Sequence, residues 1–263
     1  MSRFHRVILA GLLTAAFHPT AKAIAIYDVE ASSSFTVIST GGMVITAEPT
    51  IVPGGNNSTS TTGTGVASLD TDGQSPVGAG PVALGVGDSV TQISELSGSA
   101  DAPGGTSAAS ILNSMLIVLT NTSLTTSAEA EFLFTYTWDA SISRTSADLE
   151  AAIANPFFHL SGFAPSGAET LEVDSGGGRI PLAEFLVDNT IDLTPSEADL
   201  SDSTMGSLSV SVFVTVLADR TDSFEVINDA TGNAIHAAPA PAVASLMLLG
   251  FAAGAWRRRS VRS

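Results

Sequence analysis

The chain has 263 residues, with 26 acidic against 10 basic side chains, a formal charge of −16 and no cysteine. That charge removes the electrostatic source of phosphate-backbone binding and so excludes nucleic acid as a partner. The missing thiols exclude disulfide staples, thiolate metal sites and a cysteine nucleophile.

The basic residues are also segregated. Seven of the ten, Arg3, Arg6, Lys22, Arg257, Arg258, Arg259 and Arg262, lie at the two ends, which leaves Arg144, Arg179 and Arg220 against all 26 acids over residues 24–238, a formal charge of −23. Such a body is soluble and attracts divalent cations, calcium among them, without thereby defining a site. Its 215 or so residues are enough to bury one substantial core.

At the N-terminus, Arg3 and Arg6 precede the apolar stretch 7–17 and the small-x-small triplet Ala21-Lys22-Ala23. This is the order of a secretory signal peptide, with signal peptidase cutting after Ala23 and Ile24 as the mature first residue. Eleven apolar residues are too few for a spanning helix, which needs about 20.

The body begins with β-prone segments at 35–38 and 43–47, and Gly41-Gly42 between them predicts a hairpin. Residues 53–80 change character: the Gly/Ser/Thr-rich run 54–65 has almost no apolar content and reads as a mobile loop or linker. Strand signals return at 82–86, 89–93 and 111–119. Between Glu129 and Trp138, the rings Phe132, Phe134, Tyr136 and Trp138 fall at every second position and share one face of a strand. The interpretation favoured for that row is core; exposed, it would be a sugar-stacking platform. A helix is predicted over 146–154, capped by Thr145 with Asp148 three residues on and stopped by Asn155-Pro156. Alternating valines at 208–216 predict another strand, with Phe213 breaking its polar face, and 223–236 reads as a closing hairpin. The fold expected is all-β, an antiparallel β-sandwich of jelly-roll-like type with one short helix, flanked by a signal helix and a C-terminal transmembrane helix.

Chemistry is sparse. His159 follows Pro156-Phe157-Phe158 and reads as a loop or packed histidine, and His236 lies close to the tail. No Gly-x-Ser-x-Gly elbow is present, and Gly87-Asp88-Ser89 is only a fragment of a hydrolase nucleophile block. Glu129 and Glu131 read as the solvated side of the aromatic strand, and Asp139 as an acid at the strand's end, so no catalytic residue is assigned. Asp70-x-Asp72-Gly73 and the series Asp192, Glu197, Asp199, Asp202 offer oxygens to calcium, but solvated acidic loops are the favoured reading and no metal site is assigned. Gly176-Gly177-Gly178-Arg179 reads as a flexible turn.

The C-terminus closes the sequence with three parts: Pro239-Ala240-Pro241, the uncharged run 242–256, and the basic cluster Arg257, Arg258, Arg259 and Arg262. The run is a marginal membrane span, Trp256 is an interfacial aromatic, and the arginines orient the body away from the cytoplasm. In order and spacing these residues resemble the PEP-CTERM sorting signal of bacterial surface proteins processed by exosortase, with Ala240 standing at the position of the motif's glutamate. The resemblance implies translocation, transient membrane anchoring, and transfer to the cell surface or to extracellular polysaccharide. An ordinary C-terminal anchor with a proline-rich stalk fits the same residues. The function expected is therefore a non-enzymatic surface or matrix protein of the biofilm kind; the alternative is a secreted carbohydrate-binding module or hydrolase acting on extracellular polysaccharide.

Overall fold

The computed structural model describes residues 24–49, 57–63, 65–70, 74–75, 81–101, 103–146, 148–161, 170–174, 176–181, 184–194 and 197–237. Ala21 and Ala23 of the signal segment, the motif Pro239-Ala240-Pro241, the run 242–256 and Arg257, Arg258, Arg259 and Arg262 lie outside the described residues. Within them every regular element is a strand: β1 (Ala25–Ser39), β2 (Val44–Pro49), β3 (Asn57–Thr62), β4 (Val66–Asp70), β5 (Gln74–Ser75), β6 (Val82–Leu84), β7 (Ser89–Ala100), β8 (Thr106–Asn121), β9 (Ala128–Arg144), β10 (Glu150–Ser161), β11 (Thr170–Asp174), β12 (Ile180–Pro181), β13 (Phe185–Asp188), β14 (Ile191–Leu193), β15 (Ser201–Val216) and β16 (Arg220–His236).

These form two antiparallel eight-stranded sheets. The first runs β12-β11-β15-β9-β1-β7-β4 with β5 also on β7; the second runs β13-β10-β16-β8-β2-β6 with β14 on β10 and β3 on β8. The sheets face one another through a shared core, as rings from both show: Phe132 and Phe134 of β9 contact Phe224 of β16 at 5.6 and 6.1 Å, and Tyr136 stacks on Phe158 of β10 at 5.2 Å. Phe132, Phe134 and Tyr136 are fully buried, so the predicted aromatic row is core for three of its four members. Trp138 is half-buried, stacked on Tyr136 at 5.4 Å, with its indole N–H on Thr204 Oγ1.

The core tapers along the strands. One cluster holds the phenylalanines, and the other is built from Ala25, Ala100, Ala109, Ala140, Ala152, Ala154, Ala230 and Ala234 around Tyr27. Small side chains bring the sheets close there, and Tyr27 fits only because Gly98 and Gly232 lack a Cβ, which would stand 2.3 Å from its hydroxyl and 2.2 Å from its ring. Between the clusters lies a polar belt. Asn228 donates to the carbonyls of Ala31 (3.2 Å) and Gln92 (3.0 Å), and Asn113 to Ile93 O and Ser94 Oγ, both at 2.9 Å, so side chains of the second sheet tie down backbone of the first.

Four sequence expectations are corrected. The helix over 146–154 is instead a turn followed by β10, whose residues alternate buried and less buried from Glu150. Pro156 is tolerated because its carbonyl, accepting from Asn189 N, faces the gap between β14 and β13, so its missing N–H falls where no ladder bond is needed. The Gly41-Gly42 hairpin does not form: both edges of β1 are taken by β7 and β9, and the turn, with Met43 N on Thr40 O, carries the chain to the second sheet. Gly41 (φ 57°) is required there, since a Cβ would meet Glu129 O at 2.2 Å. The closing hairpin is one 17-residue strand, because Phe224, Val226, Asn228, Ala230, Gly232 and Ala234 keep an unbroken inward period of two. Within the expected mobile loop, 57–62 form β3, an exposed strand laid on β8 and joined to it by the hydroxyl pairs Ser58–Ser110 and Thr62–Thr106.

The burial contrast along the aromatic row predicts a contrast in stability. Phe134→Ala should lose about 3–5 kcal/mol in urea unfolding, as buried Phe-to-Ala changes do, and half-buried Trp138→Ala clearly less. Equal losses would contradict the burial described.

Candidate functional site

Alternation places Asp28 and Glu30 of β1 on the outer face of the first sheet, because Tyr27, Val29 and Ala31 between and beside them point inward. Pairing then does what sequence order cannot. Glu30 is opposite Glu95 of β7 on one side and Asp139 of β9 on the other, so three carboxylates from three strands stand in one row. Asp70 of β4 is in register with Glu95. Asp28, Glu30, Glu95, Asp139 and Ser141 with Val29 line an open depression of about 340 Å³. Around it the face is hydroxyl-rich: Thr91, Ser34, Thr135 and Ser209 form another cross-strand row.

Like charges directly opposite on paired strands destabilise a sheet by roughly 0.2–1 kcal/mol per pair. The body's three arginines are spent elsewhere. Arg144, 3% exposed, directs its guanidinium at the carbonyls of Glu150, Thr194, Glu197 and Asp199 at 2.6–3.0 Å. Arg179 makes a two-pronged bond to Glu129 (2.8 and 3.1 Å), approaches Glu172 at 3.6 Å and caps the Phe213 ring at 3.5 Å, which is why that phenylalanine interrupts the polar face of β15. The Glu129 hydrogen bond is the main reason its guanidinium is held above the usual arginine range. Arg220 opens β16. The row is thus a charge-dense surface. Among the described residues no group of three or more His, Asp or Glu is arranged to hold a metal ion.

The other predicted residues stay apart. His159 lies 3.4 Å from Glu184 and edge-on to Phe157, while His236 is buried at the end of β16. Gly87-Asp88-Ser89 is a tight turn: Asp88 Oδ2 accepts from Gly85 N, and Ser89 Oγ bonds Thr36 Oγ1 at 2.7 Å. Asp192 is exposed on β14 and Asp202 on β15, whereas Glu197 and Asp199 turn their backbone carbonyls to Arg144, and the carboxylates of Glu197 and Asp202 accept from the backbone N–H groups of Thr194 and Ser203. Asp72 and Gly73 lie outside the described residues. The Gly176–178 turn is pinned by Asp174 Oδ1, which accepts from Gly176 N and Gly178 N. Asp139 is interior to β9, which continues to Arg144, and Glu129 and Glu131 do face outward.

Asp28 and Glu30 lie ahead of the first segment expected as a strand, 35–38, and Glu95 lies just past the segment 89–93, so the sequence alone does not single them out. The alternation of Tyr27, Val29 and Ala31 with Asp28 and Glu30 was the available signal. Asp229 lies on the outer face of the second sheet. Burial pushes Asp229 up to about 6, opposed by a backbone bond from Ala230, and burial with the nearby charges of Asp229 and Asp188 raises the Tyr136 phenol.

No family model matches the chain, and no curated protein does. Among solved structures, a secreted serine protease from Vibrio cholerae is 12% identical, over 76% of this chain and 46% of that one, with a TM-score of 0.14. A family 11 carbohydrate-binding module from Clostridium thermocellum is 10% identical, over 74% and 98%, with a TM-score of 0.11. The infectious bursal disease virus VP2 subviral particle is 11% identical, over 93% and 89%, with a TM-score of 0.11. Likenesses this slight carry no argument for fold or function.

Two outcomes are expected. Glu30→Gln relieves repulsion on both sides of the row and should stabilise the protein by about 0.5–1 kcal/mol at low ionic strength, with the gain shrinking as the Debye length falls to about 3 Å near 1 M salt. For Asp229 the folded value lies above the unfolded one, so the folded state binds the extra proton; its contribution is present below about pH 4 and lost as pH rises through about 6. Urea midpoints measured across that window should fall for the native chain and stay flatter for Asp229→Asn.

Proposed function

We propose that this chain is a non-enzymatic exported protein of the cell surface or extracellular matrix, delivered by its two terminal signals and associated with extracellular polysaccharide. The two packed sheets are read as a β-sandwich, jelly-roll-like in that successive long strands cross from one sheet to the other. The observation that carries the functional reading is the distribution of charge. A body of −23 keeps one arginine buried and another locked on two glutamates, and shows a row of carboxylates amid serines and threonines on a broad sheet face. Such a face is hydrated, and it meets an anionic polymer through a bridging divalent cation, since direct contact is repulsive.

On this reading signal peptidase removes residues 1–23, the run 242–256 anchors the chain with Arg257, Arg258, Arg259 and Arg262 on the cytoplasmic side, and an exosortase acts at Pro239-Ala240-Pro241. The sugar-platform version of the alternative loses its main support, because Phe132, Phe134 and Tyr136 are interior.

Intact mass and cell fractionation test the proposal together. The mature chain should begin at Ile24, end near Pro239 and be recovered with extracellular polymer, from which a chelator releases it. A membrane-bound form retaining Arg262 would overturn the processing step, and retention unaffected by chelation would overturn cation bridging.

A further inference from the structure

The amide nitrogen of Ile24 donates to Thr145 Oγ1 at 3.0 Å, joining the residue just after the proposed cleavage point to the turn 121 positions later. That hydroxyl lies 3.3 Å from both carboxylate oxygens of Glu150. Glu150 is fully buried, and its carboxylate also accepts from the backbone N–H groups of Thr145 (2.6 Å) and Ser146 (3.0 Å). Arg144, next to it, spends its guanidinium on backbone carbonyls, including that of Glu150 itself, rather than on this carboxylate. The ion pairs of His159 with Glu184 and of Arg179 with Glu129 and Glu172 lie away from this corner. A buried carboxylate therefore reaches the chain's entry point through a single hydroxyl.

We infer that Thr145 and Glu150 form a binding site for the new N-terminal ammonium of Ile24, so that removal of the leader tightens the fold it releases. The inference rests on the export reading for the cut itself. Hydrolysis breaks the Ala23–Ile24 amide; water supplies the hydroxyl of the Ala23 carboxyl group and the hydrogen added to the Ile24 nitrogen, which takes a further proton at neutral pH. An amide with one N–H becomes a cation with three, placed where Thr145 Oγ1 already accepts and the Glu150 charge is one hydroxyl away. The charged or titratable groups around it are Arg144 of β9, Asp148 of the following turn, Glu150 of β10, His236 in register with Glu150 on β16, and Asp101 just after β7, whose Ala100 pairs with Ala25. Negative charge outweighs positive in this set. An ammonium held here has its pKa raised above the unfolded value of about 7.7–8.0, so its stabilisation is complete below that range and lost as pH rises through the folded value.

The test compares the chain from Ile24 to its natural end, released by a protease that leaves Ile24 first, with the same chain carrying Ala23 ahead of it. Both have one terminal ammonium, displaced by one residue in the second. The Ile24 form should melt about 2–4 °C higher near pH 6.5, a shift typical of 1 kcal/mol in a domain this size. The difference should vanish near pH 10 and be lost in Thr145→Val, which removes the hydroxyl and spares the buried carboxylate. The rate of N-terminal acylation against pH gives the amine's own pKa, which should be raised in the native chain and ordinary in Thr145→Val. Equal midpoints at pH 6.5, a gain persisting at pH 10, or an unshifted amine would each overturn the site. N-terminal sequencing of the exported protein decides separately whether the cell cuts after Ala23, so failure of the cleavage reading is distinct from failure of the site.

Discussion

A buried guanidinium organises one end of this molecule. Arg144 closes β9, and its nitrogens hold the carbonyls of Glu150, Thr194, Glu197 and Asp199. Those oxygens belong to the start of β10 and to the segment between β14 and β15, which otherwise have no ladder to satisfy them. Lysine has three donors on one nitrogen and cannot reproduce the planar fork that reaches so many directions. In a body of 26 acids and three arginines, placing one cation wholly inside is a structural commitment. It fixes the corner at which the chain passes from the first sheet to the second and at which β1 begins opposite Arg144.

The remainder of the fold follows from alternation across two packed faces. Large rings hold the sheets apart at one end, alanines let them approach at the other, and Asn113 and Asn228 join them between. That belt satisfies backbone carbonyls of β1 and β7 inside the protein, where an unpaired carbonyl would cost about 1–3 kcal/mol. It also fixes lateral position, since a shift of one residue would turn the asparagines outward and the rings with them.

Period two was legible wherever the side chains were large, as at Phe132, Phe134 and Tyr136 or the valines of β15. It was hidden wherever a strand used small or turn-prone residues. Residues 150–155 have a helix-forming composition that tertiary pairing overrides, and Asn228, Asp229, Gly232 and Asn233 resemble a turn until their partners on β8 are known. The carboxylate row was invisible for a different reason. Glu30, Glu95 and Asp139 are far apart in sequence and meet only through the order β7-β1-β9, which no local pattern encodes. Glycine showed the same limit: Gly41-Gly42 announces a turn but not which sheet the chain enters next.

The two ends of the described body share a location, and this bears on how the proposed signals would act. Ile24 reaches Thr145, Thr145 is held by Glu150, Glu150 is in register with His236, and Ala237 N donates to Leu149 O at 2.7 Å. His236 is further tied by backbone bonds to Gly104 and Gly105. Structure is therefore described to Ala237, at the same corner where the chain enters. On the export reading, leader and anchor attach to one pole of the sandwich. The carboxylate row begins only a few residues along β1 from that pole, and the aromatic half of the core lies beyond it. Strain applied to either signal would meet the Arg144 corner first, where carbonyls from two segments converge on one cation. A body fastened there can be cut loose at both ends without disturbing the packing of its two sheets.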